Sequence, residues 1–252
     1  MNQNNTSFIM KKFTIAAGIF LCSLSVFSQV WVDAGLKGGY GLDLIANKNF
    51  FDDHHFSPKL STGYMFGGKV GFNFNSNHAV TLDITSSAIN QKYTYSLVNP
   101  DSSLSNYNRS IGFNSINFLL MYRKSKNGTY FEIGPQYSMI TKTRFSDNFA
   151  SSANTDISAD LVKSYYSAVI GFGGYITGTD NFGIVLGCRF SYTFDDITSD
   201  AGKPVNFPAI KKYDSYKSLN PVTALMVLEF NFDVAYLASS GGNHKRKKVM
   251  LF

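Results

Sequence analysis

Charge is scarce in this chain of 252 residues, with Asp, Glu, Lys and Arg making up 16%. Cysteine occurs twice, tryptophan once and proline six times. Each shortage excludes something. Two cysteines cannot build a disulfide framework or a cysteine-based zinc cluster. A chain this poor in charge and with 15% aromatics has the opposite balance to an intrinsically disordered one. No apolar run approaches the ~20 residues of a membrane-spanning helix, so a helical membrane protein is excluded. A surplus of basic residues, net charge +6 and pI about 9.1, invites a nucleic-acid reading, but the surplus sits at the ends. Lys11 and Lys12 lie near the start, and Lys245, Arg246, Lys247 and Lys248 near the finish. Setting those six aside leaves 17 basic against 17 acidic residues. No basic face is left to track a phosphate backbone, so no nucleic-acid partner is expected.

The end charges belong to segments of their own. Lys11-Lys12 precedes a short apolar run, Phe13 to Leu24, and then Val26-Phe27-Ser28. This is the pattern of a secretory signal over residues 1–28, cut before Gln29. Met10 is a second possible start. The bulky Ile19-Phe20-Leu21 before Cys22 argues against a lipoprotein cysteine. Cleavage leaves Cys188 as the sole mature cysteine, and an intrachain disulfide is impossible. Residues 237–252 form a basic tail, read as a solubilising end, with contact to anionic headgroups or peptidoglycan-associated partners as the alternative.

Between the ends the sequence alternates with period two, the mark of a strand with two different faces. In 181–195, Phe182, Ile184, Leu186, Cys188, Phe190, Tyr192 and Phe194 share one face, and smaller or polar residues share the other. Residues 130–139 and 222–234 repeat the pattern. Noisier versions cover 31–42, 63–75, 78–95, 111–124 and 162–177, which makes eight strands. Short turns rich in Asn, Gly and Asp lie near 76, 127 and 180, where residues tolerant of positive φ favour hairpins. Long polar stretches at 43–61, 96–110, 140–161 and 196–217 alternate with them.

That sorting of connections predicts an all-β fold: an eight-stranded antiparallel transmembrane up-and-down β-barrel, residues 29–236, with short periplasmic turns and long, mobile extracellular loops. A soluble sandwich has no reason to separate its loops by length. The apolar face then meets lipid. The other face looks into a lumen only wide enough for side chains. Parity places Asp33, Lys37, Lys69, Asp83, Arg123, Glu132, Arg189 and Glu229 there, four acids and four bases. Unpaired buried charge is very costly, so the balance predicts a salt-bridge plug rather than an open pore. Tyr40, Tyr64, Tyr93, Tyr122, Tyr130, Tyr137, Tyr165, Tyr166 and Tyr192 are expected to form interfacial girdles.

Several stretches carry a family likeness. They are GLKGGYGL (35–42), FGGKVGFNFNSNHAVTLDI (66–84), SINFLLMYRKSKNGTYFEIGPQYSMI (115–140) and AVIGFGGYITGTDNFGIVLGCRFSY (168–192). Through them the chain resembles the outer-membrane β-barrel family of the Bacteroidota, PorT-like and similar in architecture to OmpX- and OmpA-type barrels. The resemblance implies an outer-membrane location but no particular activity, because barrels of this kind serve several roles. The tail GGNHKRKKVMLF (241–252) departs from barrels that end on the aromatic of the last strand.

The one dense acid and histidine cluster is Asp52, Asp53, His54 and His55 in the first long stretch. These are metal-ligand and acid–base residue types, yet four adjacent residues cannot all converge on one centre, and no further ligand is apparent. A solvated loop is the preferred reading, and no cofactor or metal is expected. The functional expectation is a non-enzymatic surface-interaction or envelope and secretion accessory scaffold. Its partners would be outer-membrane lipid and lipopolysaccharide, the barrel-assembly machinery, and envelope proteins or extracellular ligands met through the four long stretches. A rim hydrolase using the loop His and Asp residues, or a narrow channel, is the alternative.

Overall fold

Strand-forming alternation turns into pairing over nearly the whole described chain. The computed structural model describes residues 29–98, 100–101, 103–179 and 181–239. Residues 1–28 and 240–252, where the export signal and most of the basic tail are expected, lie outside them. The strands are β1 (Gln29–Ala46), β2 (Phe56–Lys59), β3 (Ser61–Asn73), β4 (His78–Val98), β5 (Leu104–Lys126), β6 (Thr129–Asp147), β7 (Ser152–Thr155), β8 (Ser164–Gly178), β9 (Phe182–Thr193) and β10 (Asn220–Ser239). A short helix α1 (Lys48–Asp52) and one 3₁₀ turn (Lys203–Val205) complete the elements.

Eight of these strands close a ring. Each pairs antiparallel with its neighbour in the order β1-β3-β4-β5-β6-β8-β9-β10, and β10 returns to β1. The result is an all-β up-and-down barrel in which ring closure removes the unpaired edges of an open sheet. The short β2 and β7 add to β4 and β6 at one end.

The two ends are built differently, and local sequence explains why. At one end three tight connections join β3–β4, β5–β6 and β8–β9, beside the outer ends of β1 and β10. The β5–β6 turn is Asn127-Gly128, both at positive φ (51° and 76°), a two-residue hairpin whose twist matches its strands. At the β3–β4 turn the Asn75 side chain accepts from the backbone N–H groups of Asn77 and His78, at 2.8 and 2.9 Å. At the other end β4 and β5 continue well past their neighbours as a long hairpin, paired from His78↔Lys124 to Val98↔Leu104.

Two expectations change here. The stretches expected as mobile loops are largely structured: β1 runs to Ala46, β4 to Val98, β5 starts at Leu104 and β6 runs to Asp147. Their apolar residues Phe50, Phe56, Ile157, Leu161 and Ile197 join Ile89, Tyr93, Tyr95, Ile111, Phe113, Tyr165 and Leu219 from in and beside the strands in a core above the barrel mouth. Phe56 stacks on Tyr93 at 4.8 Å, and Phe50 meets Phe56 edge-on at 4.9 Å. Phe50, Phe56, Ile157, Leu161 and Ile197 are scattered through polar sequence without a period, so their gathering into this cap is invisible to pattern reading.

The tyrosine girdle is also smaller than expected. Tyr40, Tyr64, Tyr122, Tyr166 and Tyr192 are exposed on the outer surface, and Tyr137 packs against Tyr166 at 5.1 Å. Tyr93, Tyr130 and Tyr165 are buried, because they share the parity of the inward residues of β4, β6 and β8. A strand's side chains alternate without exception until a bulge intervenes.

Candidate functional site

The barrel interior gathers the ionisable groups. Inward parity brings one charge from each of six strands to a common level: Lys37 (β1), Asp83 (β4), Arg123 (β5), Glu132 (β6), Arg189 (β9) and Glu229 (β10). They form a closed ring of alternating sign. Lys37 meets Asp83 at 2.6 Å, Asp83 meets Arg189 at 3.0 Å, and Arg189 meets Glu132 at 2.6 Å. Glu132 then meets Arg123 at 2.7 Å, Arg123 meets Glu229 at 2.8 Å, and Glu229 returns to Lys37 at 3.2 Å. A spur leaves Glu229 for Lys69 at 2.7 Å and ends at Asp33, 3.4 Å farther. All eight side chains are buried, and their formal charges cancel.

Some links are cross-strand neighbours, such as Arg123↔Glu132 and Lys37↔Glu229. Others span the lumen. The guanidinium of Arg123 donates to both oxygens of Glu229 at 2.8 Å, a bidentate geometry that lysine cannot provide. Its central carbon lies over the Tyr130 ring, 4.2 Å from the centroid. The one barrel strand with no charge in the network, β8, supplies Gly171 opposite both Glu132 and Arg189. A Cβ there would sit 2.8 Å from the Glu132 carboxylate, so glycine makes the room through which Arg189 reaches Glu132.

Toward the long-loop end the interior becomes neutral and polar. Ser87 and Ser115 pair at 2.9 Å, Asn117 bonds Ser87 at 2.9 Å, and Ser167 pairs with Thr193 at 3.0 Å. A cavity of about 40 Å³ lies here, between Arg189 of the ring and Tyr165 of the cap. That is enough to admit water, and the lining holds polar side chains.

The cap closes the mouth and is tied by its own polar bonds. Arg109 on β5 donates to Asp147 on β6 at 2.8 Å and to the carbonyl of Ala209 at 3.0 Å, which pins the 194–219 segment to the barrel. Tyr95 donates to Asp147 at 2.7 Å. Burial alone would raise the Asp147 carboxyl. The bonds from Tyr95 and Arg109, and the Arg109 charge, outweigh it and hold the group below its usual range. Burial, and then the bond to Asp147, push the Tyr95 hydroxyl up to about 12.

The acid and histidine cluster of the first loop does not converge. Asp52, His54 and His55 are exposed, whereas Asp53 turns inward. There Asp53 accepts from Tyr213 at 2.7 Å and from the backbone of His55 at 2.9 Å, and meets Lys211 at 3.0 Å. Asp53 thus acts as a tether between two loops. Among the described residues no group of three His, Cys, Asp or Glu is placed to hold a metal ion.

No family model matches the chain, and no curated protein does. Several solved structures are similar in fold. Ail, the attachment invasion locus protein of Yersinia pestis, solved with the heparin analogue sucrose octasulfate, is 15% identical, covering 80% of this chain and 99% of its own, with a TM-score of 0.37. Neisserial surface protein A is 11% identical, covering 81% and 97%, with a TM-score of 0.37. The outer membrane protein OprG from Pseudomonas aeruginosa is 10% identical, covering 82% and 96%, with a TM-score of 0.40.

Proposed function

We propose that the chain is an integral outer-membrane barrel with a closed lumen, a non-enzymatic scaffold that presents its capped, extended end to partners at the cell surface. The observation that carries this reading is the neutral ring of buried ion pairs lying under a packed cap, inside a barrel with an apolar outer belt. On β3 the outward side chains Tyr64, Phe66, Val70 and Phe72 are exposed over nine residues, within the ~9–11 that take a tilted strand across a bilayer core. Leu120, Phe172, Leu186, Met226 and Phe232 continue the belt on other strands. Such a surface in water would cost about 25 cal/mol per Å² of apolar area, so lipid is its natural solvent.

Export by residues 1–28 with cleavage before Gln29, insertion by the barrel-assembly machinery, and membership of the PorT-like family of the Bacteroidota are parts of the same reading. The rigid frame fixes the β4–β5 hairpin and the cap, where envelope proteins or extracellular ligands would bind, since loops held on a scaffold are where such specificity sits. The role is one in surface interaction, or an accessory one in envelope assembly or secretion.

Two measurements test it. Detergent-extracted protein should migrate differently on a gel with and without heating, and planar bilayers should show no large, stable conductance. Water-soluble protein with no heat-dependent shift would sink the membrane reading. Steady channel openings would sink the closed lumen.

A further inference from the structure

Outside the lumen, one sector of the barrel wall carries cations with no acidic partner. We propose that Lys59, Lys92, Lys142 and Arg144 form a binding site for the phosphate groups of an anionic lipid headgroup in the outer leaflet. This rests on the outer-membrane reading above.

The placement follows from register. Lys59 on β2 and Lys92 on β4 are direct cross-strand partners, and like charges directly opposite destabilise a sheet pair unless something compensates them. On β6 the ladder slips by one residue. Ser115 pairs with Ile140 but Asn114 pairs with Lys142, so Thr141 is an extra residue. Before this bulge the even-numbered residues of β6 face inward, as Glu132 and Ser138 do; after it the odd-numbered ones do, as Thr143 and Asp147 show. The slip therefore turns Lys142 and Arg144 out of the mouth and onto the wall. Arg144 lies across Gly112 toward two amide oxygens, Asn114 at 3.3 Å and Asn90 at 3.4 Å. These orient the guanidinium without neutralising it.

None of the four cations forms an ion pair with a described residue, in contrast to all four cations of the lumen. The outward positions of β4, β5 and β6 at this level carry no carboxylate. Immediately toward the short-turn end on the same strands, the wall turns apolar at Ile116, Phe118 and Met139. The patch is thus continuous with the lipid belt at the height of the headgroups. With strands about 4.8 Å apart, it spans about 14 Å from β2 to β6, the scale of one phosphorylated headgroup. An ammonium or guanidinium at such a surface attracts anionic lipid, and the planar fork of Arg144 suits phosphate oxygens.

The test uses the full chain refolded in neutral detergent, with folding monitored separately by the heat-dependent gel shift. Lipid A is titrated against it, then lipid A stripped of phosphate, then inorganic phosphate, with bound lipid read by native mass spectrometry. Lipid A should bind, and each Lys→Gln replacement should weaken it about fivefold. K203Q and K211Q, whose lysines already pair with Asp200 and Asp53, should leave it unchanged. If the quadruple variant K59Q/K92Q/K142Q/R144Q does not refold, the exposed single changes K92Q and K142Q give the same reading. Equal binding of dephosphorylated lipid, undiminished binding by folded variants, or equally tight binding of inorganic phosphate would each overturn the proposal. A folded, heat-modifiable protein that fails these tests refutes the lipid site and leaves the membrane reading standing.

Discussion

Arg123 and Glu229 are 106 positions apart in the chain, yet they meet in the lumen through two bonds of 2.8 Å. They close the ring that joins six strands. Because each carboxylate in the ring touches at least two cations, removal of one leaves several positive groups facing one another in a space shielded from water.

Glu229 touches Lys37, Lys69 and Arg123. Glu229→Ala should therefore lower the unfolding free energy of the vesicle-inserted barrel by about 3–5 kcal/mol, the cost of leaving buried charge unpaired. Glu229→Gln, which keeps the shape and part of the hydrogen bonding, should cost less. Guanidinium unfolding followed by the fluorescence of the single tryptophan, Trp31, measures both. A loss below about 1 kcal/mol for the alanine variant would mean that water enters the lumen and screens the ring.

The cap should respond to pH at both extremes. Asp147 is held below its usual value by Tyr95 and Arg109 against the effect of burial. Its contribution is thus fully present above the unfolded pKa near 3.8 and is lost as pH falls through the lower folded value. Tyr95 works in the opposite sense. The unfolded chain gives up this proton near 10, the folded cap near about 12, so stability drops as pH rises through that interval. Hydrogen exchange of residues 195–219 should accelerate in both directions. Burial and the bonds to Asp53 and Asp196 raise the Tyr213 and Tyr216 hydroxyls too. Tyr95→Phe should therefore weaken the alkaline arm without abolishing it, and an unchanged alkaline profile in that variant would remove Tyr95 from the account.

Position on the wall should decide the cost of a new charge. Leu120, outward and 54% exposed on β5, lies in the apolar belt, and Leu120→Arg should destabilise the inserted protein by about 2–4 kcal/mol. Leu104 is as exposed, 59%, but sits at the tip of the β4–β5 hairpin beyond the belt. Leu104→Arg should change stability by less than about 0.5 kcal/mol. Equal effects in folding titrations from vesicles would contradict the assigned belt.

Much of the barrel was legible in the chain because a strand's period of two carries information about burial at every position. From that parity alone Asp33, Lys37, Lys69, Asp83, Arg123, Glu132, Arg189 and Glu229 are all assigned to the lumen, and all eight are buried there. Nearness to strand ends, used for the tyrosines in place of parity, misplaced Tyr93, Tyr130 and Tyr165, which are buried. Turn chemistry was equally local: Asn127-Gly128 announces its hairpin through the positive φ it tolerates.

What alternation cannot express needed the folded barrel. Which charge meets which depends on the stagger between strands, and the ring from Lys37 through Asp83, Arg189, Glu132 and Arg123 to Glu229 joins residues up to 192 positions apart. The bulge at Thr141 reverses the parity of one strand, and no residue type marks it, so Lys142 and Arg144 read as loop residues until the ladder shows them on the wall. The cap was hidden for a related reason. Phe50, Phe56, Tyr93, Ile157, Ile197 and Leu219 come from separate segments, and only closure of the barrel brings those segments over one mouth, where their apolar surfaces leave water together. Periodicity is a property of one strand and is written in its sequence, whereas stagger, bulges and shared burial are relations between segments that exist only once the chain has closed on itself.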